Sequence, residues 1–259
     1  MEKVSYYSIG SIAKAFRVIE LLVVKKEYEL RELSKRAGLQ KTTVHRILLT
    51  LQDLGYVKQN PDNRKYRATV KFFELGQAVI RHTGLIDTAR PHMVELSRDA
   101  GESVNIGTLD GIDAVCIDRV EGKNPLKVDQ PIGSRYPGYV SAFGKAMLAF
   151  LPADETALLL ADHKLIRLTN KTMRSRAALN ADLKESRLRG FAIDDEEAVL
   201  GIRCIGAPIF SHSDRIVAGI SIAAPVFRLG TKKIPRLSRL VMRAASRISK
   251  DLGRQDAGS

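Results

Sequence analysis

The feature that most constrains this chain is the stretch "LSKRAGLQKTTVHRIL", Leu33 to Leu48. It holds two short amphipathic runs with a glycine between them. Leu30 to Ala37 and Lys41 to Leu54 both repeat their apolar residues at helical spacing. Gly38 tolerates a left-handed backbone without steric cost, so it predicts a tight stop between two helices. Leu33, Ala37, Leu39, Val44 and Ile47 fall at the offsets that pack such helices together. Gln40, Lys41, Thr42, Thr43, His45 and Arg46 then lie at the start and on the outer side of the second helix.

That polarity suits a helix pair whose second member lies in the DNA major groove. Gln40 can read adenine. Arg46 can read guanine or clamp a phosphate, and the two threonines suit phosphate or a thymine methyl. Arg31, on the first helix, is a further candidate DNA contact. Two ordinary surface helices joined by a glycine are the alternative, and the flanking sequence argues against it. Residues 11–24 predict a preceding helix capped by Ser8 or Ser11. After Gly55, "YVKQNPDNRKYRA" sets two β-prone runs around the turn Asn60-Pro61-Asp62-Asn63. Three helices and a hairpin make a winged helix-turn-helix. Its wing carries Asn63, Arg64, Lys65 and Arg67, a basic hairpin suited to the backbone or the minor groove. For any single wing residue a solvated charge is the competing explanation.

Charge follows the same division. The first 83 residues hold 16 Lys and Arg against 8 Asp and Glu, a net of +8, while the other 176 carry +5 of the total +13. A nucleic-acid module followed by a less charged domain has this asymmetry. Trp is absent, which disfavours stacking platforms for single strands. The two cysteines, Cys116 and Cys204, form no ligand spacing, so no metal and no cofactor is expected. No apolar run approaches the roughly 20 residues of a membrane span, and the N-terminus lacks a signal-peptide core. A cytoplasmic protein with reduced thiols is expected, without a membrane partner.

The boundaries predicted are a DNA-binding domain over 1–69, a linker helix over 70–84 and a second domain over 85–259. Gly84 is the expected hinge. Leu85 to Ala100 reads as a helix that Pro91 interrupts or begins. "ESVNIGTLDGIDAVCIDRVEG" alternates apolar and polar residues around Asp110-Gly111, a hairpin signal. "PLKVDQPIG" predicts another strand. Helices are predicted over 143–151, 153–161, 175–189 and 232–252, with two strands in "CIGAPIFSHSDRIVAGISIAAPV". The class is α+β.

These segments resemble the IclR family of bacterial transcriptional regulators. The DNA-binding half of the resemblance rests on "LRELSKRAGLQKTTVHRILLTLQDLGYVKQNPDNRKYRATVKFFELG". The other half rests on "GSRYPGYVSAFGKAMLAFLP" and "GFAIDDEEAVLGIRCIGAPIF", the last of which looks like the family's signature segment. Departures are Gly206, where the family usually has Ala, and "SHSD" in place of an Asp-x-x-Gly turn. The resemblance implies a GAF-like α/β effector-binding domain and a homodimer or dimer of dimers on double-stranded operator DNA. It also implies a small organic-acid effector and repression more than activation. "FFELG" and "GSRYPGY" resemble the branch that senses sugar-acid intermediates such as 2-keto-3-deoxygluconate.

In the second domain "GYVSAFGKA" superficially suggests a P-loop. Five residues separate Gly138 from Gly144 where four are needed, and Ala146 replaces the magnesium-binding hydroxyl. What remains is a loop feeding a helix start at Ala142, Phe143 and Gly144, whose free N–H groups favour an anion. Asp194 to Glu197, "DDEE", lacks a neighbouring His and predicts a solvated acidic loop for Asp195 and at least one glutamate. By resemblance Asp194 looks into the effector pocket, Cys204 lines it, Ser221 hydrogen-bonds the ligand, and Ala142 and Phe143 form its wall. Phe143 points inward or packs outward. Arg135 pairs with a carboxylate or braces its loop. An enzyme acting on a small acid through Cys204 is the rival reading, and it needs a base beside the thiol. An architectural DNA binder without a ligand is a third.

Overall fold

The computed structural model describes residues 9–81, 84–161 and 163–255. They form two compact units divided between positions 82 and 83. The first contains α1 (Gly10–Leu22), α2 (Leu30–Ala37), α3 (Lys41–Asp53), β1 (Val57–Gln59), β2 (Tyr66–Ala68) and α4 (Lys71–Arg81). β1 and β2 pair antiparallel, and an isolated antiparallel bridge joins Tyr28 to Tyr66.

Gly38 adopts φ 63°, and the Leu39 N–H turns back to the Ser34 carbonyl. The Ser34 hydroxyl donates to the Leu39 carbonyl at 2.6 Å, which fixes the turn from both sides. The α2–α3 pair closes over Leu33, Ala37, Val44 and Leu48, with Val18 and Leu22 of α1 and Tyr28 completing the core. Leu39 and Ile47 pack at its margin. The predicted cap is corrected. α1 starts at Gly10 with Ile9 before it and no side-chain cap, which leaves Ser11 inside the first turn. Ser8 lies outside the described residues.

The second unit contains α5 (Leu85–Ala100), β3 (Ser103–Asp110), β4 (Asp113–Val120), β5 (Arg135–Pro137), α6 (Ala142–Phe150), α7 (Ala153–Leu160), α8 (Arg176–Arg189), β6 (Ala192–Asp195), β7 (Ile202–Phe210), β8 (Ile216–Pro225) and α9 (Ile234–Asp251). Six strands form one antiparallel sheet in the order β5-β4-β3-β8-β7-β6. Side chains alternate between its faces. Ile106, Ile205, Ile220 and Ile222 pack on Met93 and Leu96 of α5 and on Leu237, Val241 and Ile248 of α9. The other face is lined by glycines, and α6 lies on it. A Cβ on Gly206 would stand 2.6 Å from the Ala142 carbonyl, and one on Gly219 2.6 Å from the Phe143 oxygen. The Phe143 ring lies over Gly107, where a Cβ would meet it at 2.3 Å. This is the α+β, GAF-like arrangement expected.

Two local expectations fail. α5 runs unbroken through Pro91, because Pro91 and Asp87, whose carbonyl loses its partner, are both exposed to solvent. "PLKVDQPIG" forms no strand. β5 instead pairs Arg135–Pro137 with Asp113–Val115 of β4, so that edge is already taken. The segment over 121–134 becomes a strap, tied at its end by backbone bonds of Gly133 and Ser134 to Cys116 and along its length by side chains. Arg119 donates to the Asp129 carboxylate at 2.5 Å and the Gln130 carbonyl at 3.3 Å, and Arg228 to the Leu126 carbonyl at 2.7 Å.

Gly219→Ala is expected to lower unfolding stability by about 1–3 kcal/mol, because α6 must be lifted from the sheet. Urea denaturation checks it, and an unchanged midpoint would show that the close approach is not a constraint.

Candidate functional site

The first unit presents one polar helix face. Val44, Leu48 and Leu51 bury one side of α3. Thr42, His45 and Arg46 stand exposed on the other, with Gln40 and Lys41 exposed at its start. Thr43 is half-buried and lines a groove with Arg46 and with Ile12 and Phe16 of α1. Gln40 is extended and makes no capping bond, and no acid occupies the first turn of α3. The positive end of the helix dipole therefore faces outward beside Lys41, an arrangement that attracts phosphate. Arg31 and Lys35 of α2 border the same shallow concavity as Gln40 and Lys41.

The wing is held rather than loose. Glu27 accepts from Asn63 at 3.0 Å and from Asn60 at 3.3 Å, and the Asn63 amide oxygen accepts the Lys65 N–H. Asn63 is thus a brace. Arg64, at φ 55°, projects exposed from the turn, as does Arg67 from β2. Lys65 is half-buried and sits 4.0 Å from Glu29.

The second unit encloses a cavity of about 260 Å³ between the sheet, the start of α6 and the strap. Ser141, Ala142 and Phe143 form one wall, Asp194, Cys204 and Ser221 another, and Lys127 to Gln130 lie across it. Ser141 caps α6 by accepting the Gly144 N–H at 3.2 Å. Gly144 is corrected as a lining residue. It packs behind the wall, with Gly138 and Ala114 where its Cβ would be. The N–H groups of Ala142 and Phe143 precede the first intrahelical donors, so this is where α6 offers an anion its dipole. The Phe143 ring is buried on the sheet, which resolves its orientation. Arg135 braces the β3–β4 turn through Asp110 at 2.9 Å and Asp113 at 3.3 Å.

In the "DDEE" segment Asp195 is half-exposed, in keeping with the expected solvation, but each acid also has its own partner. Asp194 is buried and accepts from the Glu197 and Ala198 N–H groups at 2.8 and 3.3 Å. Asp195 pairs with Arg203 at 2.6 Å. Glu196 pairs with Lys171 and accepts the Gly201 N–H at 2.8 Å. Glu197 is buried against Lys145 at 2.6 Å, and Lys145 also meets Asp182 at 3.1 Å. Lys145 is wholly buried and was missed by sequence reasoning. Its signal was present: one charge inside the apolar helix "AFGKAMLAF" calls for a buried countercharge.

Burial pushes the Asp194 carboxyl up to about 7, against the pull of the Glu197 N–H and the Lys145 ammonium. Burial, with Asp194 beside it, raises the Cys204 thiol well above its ordinary value. Among the described residues no histidine lines the cavity, and the neighbouring Asp194 carboxyl raises the thiol instead of lowering it, so Cys204 is the reverse of an activated nucleophile. Among the described residues no three His, Cys, Asp or Glu side chains gather as metal ligands, and no helix is long and apolar enough to cross a membrane.

Comparison with known proteins agrees with both halves. Residues 11–61 match the IclR helix-turn-helix domain, and 77–250 match the bacterial transcriptional regulator IclR C-terminal model. The chain is 35% identical to the HTH-type transcriptional regulator KdgR of Escherichia coli, over 96% of this chain and 95% of that one. It is 31% identical to the transcriptional repressor IclR of the same organism, over 93% and 89%. The crystal structure of the Thermotoga maritima IclR superposes with a TM-score of 0.81 at 30% identity, covering 95% of this chain and all of that one.

Two outcomes are expected of the buried acids. Lys145→Met leaves Glu197 without its countercharge and should cost about 3–5 kcal/mol, with much of that recovered in Lys145→Met/Glu197→Gln. Calorimetry of both variants checks this, and an equal loss in the double variant would contradict it. For Asp194 the folded value lies above the unfolded one, so the native state binds the extra proton. Its contribution to stability is present at low pH and is lost as pH rises from about 4 through about 7. Asp194→Asn should flatten the stability profile over that window, and an unaltered profile would refute the assignment.

Proposed function

Since the chain belongs to the IclR family of bacterial transcriptional regulators, we propose that it represses a catabolic operon and answers to a small organic acid. The family and these relatives are DNA-binding regulators, not enzymes. The observation that carries the DNA half is the exposed face of Thr42, His45 and Arg46 beside the uncapped, acid-free start of α3. On this proposal Gln40, Thr42, Thr43, His45 and Arg46 read bases. Arg31, Lys41, Arg64 and Lys65 attract the phosphates.

The ligand half rests on the cavity at the start of α6. It provides amides for a carboxylate, and Asp194, Cys204 and Ser221 for the rest of the molecule. The ligand class is a sugar acid or an aromatic acid. Two copies bind a near-palindromic operator in the cytoplasm, as a homodimer or a dimer of dimers. The apolar groove of Ile12, Phe16, Ile19 and Leu54 supports contact between copies through the first unit. Ligand binding alters the spacing of the two DNA modules through α4, residues Phe72, Leu75 and Val79. The side chain of Val79 lies outside the described residues. Such coupling is typically about 1–3 kcal/mol. An enzyme acting through Cys204 is disfavoured by the raised thiol, which burial and the neighbouring Asp194 hold in its protonated form.

The test starts with an operator selected from a random DNA library by the full-length protein. Arg46→Ala should weaken binding to it roughly tenfold or more by fluorescence anisotropy and relax preference at one base position. Undiminished affinity and unchanged preference would remove Arg46 from the reading face. A promoter fusion carrying that operator should rise when the gene is deleted. A fall would make the protein an activator.

A further inference from the structure

Asn105 is a buried side chain with nothing to bind. It lies on β3 at 1% exposure, and neither its amide nitrogen nor its amide oxygen has a hydrogen-bond partner. Buried polar groups are almost always satisfied, and an amide that misses on both atoms is unusual. Its position is set by sheet register. Asn105 pairs with Ser221 of β8 and with Arg119 of β4, so the three side chains share one face. Its neighbours Val104 and Ile106 occupy the opposite face, in the core against α5 and α9. The shared face is the cavity side, because Ser221 lines the cavity. Two residues along β3, Gly107 lies beneath the Phe143 ring. Arg119 reaches over to the strap and leaves its Nε buried and unpartnered.

We propose that Asn105, which backs the cavity beside its register partner Ser221, is a recognition residue, and that it selects a carboxylic acid carrying hydroxyl groups. The inference rests on the ligand half of the function proposed above and narrows its chemistry. An amide offers a donor and an acceptor side by side, and a hydroxyl presents the complementary pair. An aliphatic chain or an unsubstituted aromatic ring would leave both amide atoms unpaired inside the protein. A site built to hydrogen-bond a hydroxyl discriminates strongly against the analogue lacking it. The ligand carboxylate lies at the start of α6, and a hydroxyl reaches down between Ser221 and the Phe143 ring to Asn105. That contact requires the Asn105 side chain to turn into the cavity it now backs.

The full-length protein is titrated by calorimetry with matched acids: propionate, lactate and glycerate, then hexanoate and D-gluconate. Wild-type affinity should climb with hydroxyl number within each length. Asn105→Leu, close in volume, should weaken the best hydroxylated acid by tenfold or more and leave propionate and hexanoate unchanged. The ligand-free variant should melt no lower than wild type, because the amide it replaces has no bond to lose. A lower melting temperature together with equal losses for all the acids would make Asn105 a structural residue and overturn the proposal. Unchanged binding of hydroxylated acids would overturn it as well. If Asn105→Leu does not fold, Asn105→Ala is read against the same two criteria. If none of these acids binds wild-type protein, the proposal for Asn105 is overturned; benzoate and 4-hydroxybenzoate are then titrated, and only their failure as well sinks the ligand half of the proposed function.

Discussion

The second unit depends on how closely α6 approaches the sheet. A helix normally stands about 10 Å from a sheet because side chains fill the gap. Here Gly107, Gly206 and Gly219 remove the side chains beneath Ala142 and Phe143, and the helix backbone meets strand backbone. The start of the helix is thereby brought down to the level of Asp194, Cys204 and Ser221. With larger residues at those positions the same groups would be separated by a layer of packing. The cavity would then lose either its amides or its floor. The opposite face of the sheet has the reverse composition, with isoleucines against two long helices, so the core lies on one side and the cavity on the other.

Apolar packing of Phe143, Met147, Leu148 and Ala149 holds the helix there, and a second, polar constraint fixes its orientation. Lys145 supplies it from the second turn of α6. It is enclosed with Glu197 from the loop after β6 and Asp182 from α8. A buried pair of this kind is not strongly stabilising against an apolar replacement, but its geometry is exacting. Thr169 and Thr172 donate to the Glu196 and Glu197 carbonyls and tie the same loop from outside. The loop that follows Asp194 and β6 is therefore fixed on both sides, while the strap of 127–130 is held chiefly by side chains from Arg119. Any rearrangement on ligand entry is easier in the strap than in the loop.

The legible parts of the chain were those with local physics. Gly38, the apolar spacing around it, and Asp110-Gly111 each carry their signal within a few residues, and their elements formed as expected. What failed depended on neighbours distant in sequence. "PLKVDQPIG" has a strand's composition, but the edge it would join is occupied by Arg135–Pro137. Pro91 looked like a break, and only solvent exposure makes it harmless. The four acids of "DDEE" read as one charge run, because their partners Lys171, Arg203 and Lys145 come from three other segments. Asn105 gave no signal at all. An asparagine in an alternating strand is ordinary until its register partner proves to line a cavity.

The pocket's electrostatics raise an apparent conflict, since an anion is drawn to the start of α6 while Asp194 stands nearby. Its raised value removes the conflict. Burial raises the Asp194 carboxyl well above the ordinary carboxylate range, which favours its neutral form. An arriving carboxylate adds negative charge at close quarters and favours that form further. One oxygen of Asp194 is already engaged with the Glu197 and Ala198 N–H groups. Asp194 also hydrogen-bonds the Cys204 side chain. On the ligand reading proposed above, an anion in the cavity and a neutral Asp194 favour each other. Burial raises both Asp194 and Cys204. One desolvated cluster therefore argues against catalysis and for recognition.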